Sequence, residues 1–231
     1  METIYTQHEG EQEAILKMLP KGGKALEIGA WCATTFSQTR FLYERGWDLV
    51  LVEPSPGPFL SVMQACRHCG NSWDRGYGQR LNSVPCSCNE SPDSHFESYG
   101  TDERVTLVLA AVASRPDILL LHATDDAVST ADEVSFVNWA NGGYYGNVHV
   151  PSVTIEELWD KYGPFEFMSI DTEGMNQDVL LSIPLGKVRP LGICVEYSSE
   201  NESQQDIGYM RQHGYSKVFH STGNLLFKRN A

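Results

Sequence analysis

The stretch Phe165–Gly174, FEFMSIDTEG, is an apolar run that ends abruptly in two carboxylates and a glycine. The run predicts a buried parallel strand, because such strands are near-continuous series of apolar residues. In open α/β sheets, ligands bind beyond the carboxyl ends of the strands. Asp171 and Glu173 are separated by one residue, so both side chains leave the strand end on one side. We expect the chemistry here, although a strand followed by a plain polar turn has the same pattern.

Strands and helices alternate around this stretch. Lys24–Ala30 and Leu49–Val52 are predicted strands, with a helix between them from Thr34 or Thr35 to about Arg45. A strand, helix and strand within about 30 residues form a βαβ unit with parallel strands. Further strands are predicted at Val105–Ala113, Ile118–Leu121, Val148–Val153 and Leu191–Val195, before an antiparallel hairpin of Val218–Ser221 with Leu225–Lys228. The predicted fold class is α/β, with a mostly parallel, Rossmann-like sheet and a C-terminal antiparallel hairpin.

Helix signals complete the pattern. Thr154 and Glu157 form a capping box, which predicts a helix that ends before Gly163. Other helices are predicted over residues 9–19 and Glu202–His213, with short ones within Pro56–Ala65 and beginning at Asp178–Ile183.

Length and charge restrict the function. The 231 residues are enough for one domain with a substantial core, and the net charge of −13 argues against a general nucleic-acid or membrane-surface binder. No apolar run approaches the roughly 18 residues of a membrane span, and the N-terminus is acidic. We therefore expect no membrane partner and a cytoplasmic protein with reduced thiols. The sequence leaves the oligomeric state open.

A candidate nucleoside site lies at the ends of the first two predicted strands. The first ends in Glu27-Ile-Gly29-Ala30-Trp31, where the glycine allows a sharp turn and a close ligand. Glu53 ends the second strand, where a carboxylate can accept hydrogen bonds from ribose hydroxyls. The glycines of a dinucleotide fingerprint are missing, which favours a nucleoside without phosphates, commonly S-adenosylmethionine. A tight turn with a solvated Glu53 is the plainer alternative.

Four segments carry a resemblance to a known family: ALEIGAWCATTF, LVLVEPSPGPF, VTLVLAAVAS and VPSVTIEELWDKYGPFEFMSIDTEGMNQDVL. They resemble the successive motifs of the FkbM-type methyltransferases, class I enzymes that use S-adenosylmethionine and mostly methylate oxygens of small molecules and sugars. The resemblance covers most of the chain except the N-terminal helix and about residues 66–102. It implies a class I methyltransferase sheet and a small-molecule or glycan substrate.

The resemblance also implies roles for residues. Glu27, Gly29 and Ala30 would line the methionine end of the cofactor and Glu53 would hold the ribose. Ala111 and Val112 would lie near the adenine, and Asp171 would face the transferred methyl group. Trp31, also expected at the cofactor, stands where a small polar residue is usual. Ala33 stands where the family usually has a glycine.

Methyl transfer to a hydroxyl needs a base or a metal ion to activate the acceptor. Asp171 and Glu173 are the candidates, and Glu196 at the next strand end could complete the set. Three carboxylates at adjacent strand ends repel one another, so either one is protonated or a divalent cation lies among them. His122 and His149 are alternative bases, although each is better explained as a satisfied surface or loop histidine.

Residues 66–102 interrupt the α/β pattern with a segment rich in Gly, Ser, Asn, Pro and Cys. The pairs Cys66-x2-Cys69 and Cys86-x-Cys88 fit a tetrahedral structural zinc site, which would stabilise an insertion that has few apolar residues. Disulfides or free thiols are the alternatives, and His68 and His95 are substitute ligands. We interpret the chain as one domain, 1–231, with a zinc-binding insertion.

Three functions remain open from the sequence. The first is a methyltransferase acting on an oxygen. The second is a binding or assembly protein that keeps the fold without activity and uses the zinc module as its contact surface. The third is another nucleoside-dependent enzyme, such as an oxidoreductase, against which the missing phosphate-binding glycines count.

Overall fold

The computed structural model describes residues 3–31, 36–56, 58, 64–66, 96–98, 102–124, 128–138 and 144–231. Within these ranges, no helix is both long and apolar enough to cross a membrane.

A seven-stranded sheet forms the centre of the described chain. Its strands are β1 (Lys24–Ile28), β2 (Asp48–Val52), β5 (Val105–Val108), β9 (Phe167–Ile170), β10 (Gly192–Glu196), β11 (Tyr215–His220) and β12 (Asn224–Arg229). The order across the sheet is β11-β12-β10-β9-β1-β2-β5. Strands β5, β2, β1, β9 and β10 are parallel, whereas β12 is antiparallel to both β10 and β11. The predicted α/β class, the mostly parallel sheet and the C-terminal hairpin are confirmed.

Helices cover both faces of this sheet, because the side chains of each strand alternate between the two faces. On one face, Leu26 and Ile28 of β1 belong to a core that includes residues of α4 (Ile155–Tyr162), α5 (Asn176–Ser182) and α6 (Glu200–Gln212). On the other face, Ala25 belongs to a core that includes residues of α1 (Glu11–Met18) and α2 (Arg40–Tyr43). Glu27, two residues from Ala25, therefore faces the α1 and α2 side.

A smaller sheet lies beside the central one. Its order is β6-β8-β7, formed by β6 (Ala111–Val112), β7 (Ile118–Thr124) and β8 (Tyr144–Val153). Strand β8 runs parallel to β6 and antiparallel to β7. Helix α3 (Glu133–Asn138) lies in the chain between β7 and β8. Two short strands elsewhere in the chain, β3 (Gln64–Cys66) and β4 (Phe96–Ser98), pair with each other.

The capping box that begins α4 is confirmed. The Thr154 hydroxyl accepts a hydrogen bond from the Glu157 amide at 3.1 Å, and the Glu157 carboxylate accepts one from the Thr154 amide at 2.9 Å. This helix start fixes the segment that leads from β8 back to β9.

Two local predictions were wrong, and a third is partly described. The predicted strand Val105–Ala113 is split into β5 and β6, which belong to different sheets, and Leu109 between them is 45% exposed. The helix predicted up to Arg45 is, among the described residues, only the four-residue α2, because Ser37–Thr39 bind a buried carboxylate instead. The short helix predicted within Pro56–Ala65 agrees with the helical backbone at residues 56 and 58, and the segment turns to strand by Gln64, which pairs in β3.

Candidate active site

A cavity of about 260 Å³ lies at the carboxyl ends of the parallel strands. It is lined by all ten residues predicted for catalytic or cofactor roles: Glu27, Gly29, Ala30, Trp31, Glu53, Ala111, Val112, Asp171, Glu173 and Glu196. They converge because the carboxyl ends of parallel strands share one edge of a sheet.

The floor of the cavity is the contact between the ends of β1 and β9. Gly29 has a left-handed backbone with φ of 78°, and a Cβ atom at this position would overlap the carbonyl oxygen of Asp171. The amides of Gly29 and Ala30 donate to the carbonyl of Val52 at 2.9 and 3.1 Å, and the Asp171 amide donates to Ile28 at 3.1 Å. Only glycine permits both this conformation and this approach.

Glu27 is held by the chain that precedes α2. Its carboxylate accepts hydrogen bonds from the Gln38 amide at 2.7 Å, the Ser37 hydroxyl at 3.1 Å and the Thr39 hydroxyl. Burial raises the pKa of Glu27 to about 7, against the opposing effect of these hydrogen bonds. This carboxylate orders the loop beside the cavity, which the sequence pattern did not indicate.

Glu53 lies at the end of β2 and is buried. One carboxylate oxygen accepts from the Trp31 amide at 3.0 Å and the other from the Ser55 amide at 2.7 Å. Burial raises its pKa to about 7 although the two amides favour the charged form. Since each carboxylate oxygen can accept more than one hydrogen bond, Glu53 keeps capacity for a pair of hydroxyl donors.

Asp171 is the most perturbed acid of the site. Its pKa is raised well above the usual range, first by burial and then by the negative charges of Glu196 and Glu173. Its Oδ1 atom is enclosed and has no hydrogen-bond partner among the described residues. An enclosed polar atom without a partner is unusual and is a candidate contact for a ligand or a transferred proton.

Glu196, the last residue of β10, is positioned by a small network. Its carboxylate accepts from the Asn176 side-chain amide at 2.9 Å. The oxygen of the same buried Asn176 accepts from the amide and hydroxyl of Thr172 at 2.6 and 2.9 Å. Asn176 therefore ties the loop that follows β9 to the end of β10, a role that the sequence analysis missed.

Glu173 is held by the segment that leads into α3. Its backbone is left-handed, with φ of 51°, and its carbonyl accepts a hydrogen bond from the Thr130 hydroxyl at 2.6 Å. Gly174 packs so closely on Ser135 and Asp132 that a Cβ atom would overlap the Ser135 hydroxyl. Thr130 was also missed, because it lies in a polar stretch with no periodic pattern.

The rest of the cavity wall is largely apolar. Ala110, Ala111, Val112, Leu121 and Val128 line the side next to β6 and β7. Trp31 and Phe36 also line the cavity, and their rings stack with centroids 6.1 Å apart. Such a wall suits a flat, uncharged ring system near the carboxylates.

The two alternative bases lie elsewhere. His149 is exposed on β8. His122 is buried, with its ring nitrogens 2.9 Å from the Asn147 side chain and 3.2 Å from Glu133, and it stacks on Phe136. Neither lines the described cavity. His149 is at the surface as expected, whereas His122 is a buried, hydrogen-bonded strand residue.

The predicted zinc ligands fall almost entirely outside the described residues. Cys69, Cys86 and Cys88 are not described, and of Cys66 only its place in β3 is known. Over the described ranges, no group of three or more His, Cys, Asp or Glu side chains could hold a metal ion. Of the two alternatives for the three carboxylates, a divalent cation is therefore not supported.

Fold and cavity together define a Rossmann-like α/β protein with a site suited to a nucleoside ligand. Residues 24–217 match the methyltransferase FkbM domain, and the chain belongs to this family of methyltransferases. The family implies S-adenosylmethionine as cofactor. The close approach at Gly29, the buried Glu53 carboxylate and the enclosed Asp171 oxygen fit that molecule.

Comparison with curated proteins finds no match. Among solved structures, the chain is similar to the precorrin-6y C5,15-methyltransferase of Geobacter metallireducens, with a TM-score of 0.45 and 10% identity. The match covers 96% of this chain and 87% of that one. A TM-score below 0.5 does not establish a common fold, so the assignment rests on the strand order and the family match.

Proposed function

We propose that this methyltransferase transfers its methyl group to a hydroxyl oxygen of a small molecule, sugar or glycan, with Asp171 as the general base. The observation that carries the proposal is the state of Asp171, which has an enclosed, unpartnered Oδ1 and a raised pKa at the edge of the cavity. A base works best when its pKa lies nearer the working pH than that of an ordinary carboxyl group.

Cofactor contacts follow from the order of the strands. Glu53 would accept the ribose hydroxyls, and Ala111 and Val112 would pack beside the adenine. Gly29, Ala30 and Trp31 would lie along the amino-acid part, while Glu27 would hold the loop that closes on it. When bound, S-adenosylmethionine supplies an electrophilic methyl carbon on a sulfonium centre.

Asp171 would remove the acceptor's proton, and its two acidic neighbours would tune this step. Glu196 and Glu173 place negative charge beside Asp171 and so increase its affinity for a proton. The Asn176 network fixes Glu196, and Thr130 fixes the backbone of Glu173. In this proposal the three carboxylates act as one acid–base group, and a metal ion is not needed.

The domain arrangement belongs to the same proposal. We interpret the chain as a single domain that carries a structural zinc module at about residues 66–102, with Cys66, Cys69, Cys86 and Cys88 as ligands. The module would stabilise the insertion and take no part in methyl transfer. The protein would act on a small-molecule or glycan substrate in the cytoplasm.

Calorimetric titration with S-adenosylmethionine and S-adenosylhomocysteine tests the cofactor part. We expect micromolar binding by the wild-type protein and a loss of about tenfold or more for Glu53→Ala, because two hydroxyl donors lose their acceptor. Glu103→Ala, at an exposed site before β5, is the matched control. Undiminished binding by Glu53→Ala would contradict the assignment of the ribose site.

The acceptor is tested by transfer of labelled methyl groups to a panel of sugars, polyols and phenols. Product methylated on oxygen, with turnover lost in Asp171→Asn, would support the proposal. Methylation on nitrogen or carbon would refute the oxygen assignment. Folded protein that binds neither nucleoside would instead favour a binding protein without activity.

A further inference from the structure

The cavity includes a residue from outside the family domain. The family match begins at residue 24, yet Gln7 lines the cavity together with Glu27, Gly29 and Glu196. Nothing in the sequence motifs assigns a role to this N-terminal segment.

Hydrogen bonds hold the loop around Gln7 in one conformation. The side chain of Gln12 accepts from the Tyr5 amide at 3.1 Å and donates to the Thr3 carbonyl at 3.0 Å, which closes residues 3–12 on themselves. The Tyr5 hydroxyl donates to the Glu44 carboxylate at 2.6 Å, just beyond α2. The loop is therefore held to the body of the protein on the α2 side of the cavity.

Glu11, the first residue of α1, connects the loop to the site. It is fully buried and accepts hydrogen bonds from the Asn224 side chain at 2.8 Å and the Gln38 side chain at 3.0 Å. The backbone amide of the same Gln38 donates to Glu27 at 2.7 Å. Gln38 therefore links Glu11, in the N-terminal helix, to Glu27, the carboxylate that orders the loop beside the cavity.

The loop stands at the end of the site opposite Glu53. His8, next to Gln7, lies against Gly223 in the turn before β12, and Asn224 is the β-ladder partner of Glu196 on β10. Strand β10 is separated from β2, which carries Glu53, by β9 and β1. A nucleoside whose ribose meets Glu53 therefore extends its amino-acid part across Gly29 towards Gln7.

The charges of the site define what Gln7 can do there. Five carboxylates line the cavity, and none of the lining residues that the structure describes is Lys, Arg or His: the acids are Glu27, Glu53, Asp171, Glu173 and Glu196. Carboxylates can accept from the ligand's amino group but repel its α-carboxylate. The side-chain amide of Gln7 is an uncharged donor at that end.

We propose that Gln7 is a binding residue for the α-carboxylate of the cofactor's amino-acid part, so that the N-terminal segment completes the cofactor site. This inference rests on the proposed cofactor orientation with Glu53 at the ribose. It adds a contact from a segment that the family domain does not include.

The test compares two ligands that differ only at the carboxylate. Calorimetry measures the affinity of wild-type protein, Gln7→Ala and Gln7→Glu for S-adenosylhomocysteine and for its decarboxylated analogue, which keeps the amine. We expect Gln7→Ala to bind S-adenosylhomocysteine about tenfold more weakly, and Gln7→Glu more weakly still, because a donor is lost and then a like charge is added. The analogue should bind wild-type protein and Gln7→Ala equally.

Gln205→Ala, on the exposed face of α6, is the control for substitution of a glutamine, and thermal melting checks that each variant is folded. Equal loss for both ligands, or no loss for S-adenosylhomocysteine, would overturn the proposal. If wild-type protein binds neither ligand, the proposed function itself fails. If it binds both while Glu53→Ala changes neither, the assumed orientation fails.

Discussion

A comparison of alanine substitutions at Gly29 and Gly46 measures the effect of the close contact between Gly29 and Asp171 at the floor of the cavity. Both glycines have left-handed backbones, with φ of 78° and 84°. A Cβ atom at Gly46 would meet nothing within 4 Å. At Gly29 it would overlap the Asp171 carbonyl oxygen and lie 2.9 Å from the carbonyl carbon. Alanine at each position therefore has the same backbone penalty but a different steric one.

The expected magnitudes follow from this difference. A left-handed conformation is unfavourable for alanine by roughly 1–2 kcal/mol, so Gly46→Ala should lower the free energy of unfolding by about that amount. Overpacking adds about 1–3 kcal/mol where the neighbour is constrained. The Asp171 backbone is constrained, since its amide donates to Ile28 at 3.1 Å beside the β1–β9 ladder. Gly29→Ala should therefore lower the free energy of unfolding by about 2–5 kcal/mol in total.

Urea unfolding of the three proteins measures these free energies, and calorimetry with S-adenosylhomocysteine measures the site. We expect Gly46→Ala to bind like wild-type protein and Gly29→Ala to bind poorly, because the end of β9 must move away from β1. If the two variants lose equal stability and bind equally well, the contact between Gly29 and Asp171 does not shape the site as argued.

Asp171, the hydrogen bond from Thr130 to Glu173 and the proposed zinc site can each be tested by substitution. Asp171→Asn should lower kcat by roughly 10²–10⁴-fold. In wild-type protein the rate should fall as pH decreases through the raised pKa of Asp171, because only the ionised carboxylate accepts a proton. A rate that does not change over this pH range would exclude Asp171 as the base. Thr130→Val should lower kcat more than it raises KM, because the hydroxyl that holds Glu173 is lost, and Thr130→Ser should have the wild-type kcat. Equal activity of the two variants would show that this hydroxyl does not position Glu173. Purified protein should carry about one zinc and Cys69→Ser less, whereas under about half an equivalent without chelators would contradict the four-cysteine site.

The sequence was sufficient where the signals are local. The apolar run before Asp171 indicated β9, and the Thr154 capping box indicated the start of α4. The convergence of the acids could also be predicted, because Glu27, Glu53 and Asp171 each end a parallel strand. Parallel strands bring their carboxyl ends to one edge regardless of how far apart they lie in the chain.

Prediction failed where distant residues decide the local structure. Val105–Ala113 is apolar throughout, so its pattern does not show that the chain leaves one sheet for another at Leu109. Residues before α2 have helix-capping character, but their hydrogen bonds satisfy the buried Glu27 carboxylate instead. Gln7 lines the cavity from the N-terminal segment, and Thr130 binds the Glu173 carbonyl. Sequence spacing does not show that either residue lies near the strand ends.

The acids that define the site also oppose folding near neutral pH. Burial raises the pKa of Glu27 and Glu53 to about 7, above the value of about 4.3 for glutamate in an unfolded chain. The folded state therefore binds more protons, and the stability from these groups is complete below the unfolded pKa and is lost as pH rises towards 7. Asp171 adds like-charge repulsion from Glu196 and Glu173. These acids therefore reduce stability at the edge of the sheet where the proposed function needs a cationic ligand and a proton acceptor.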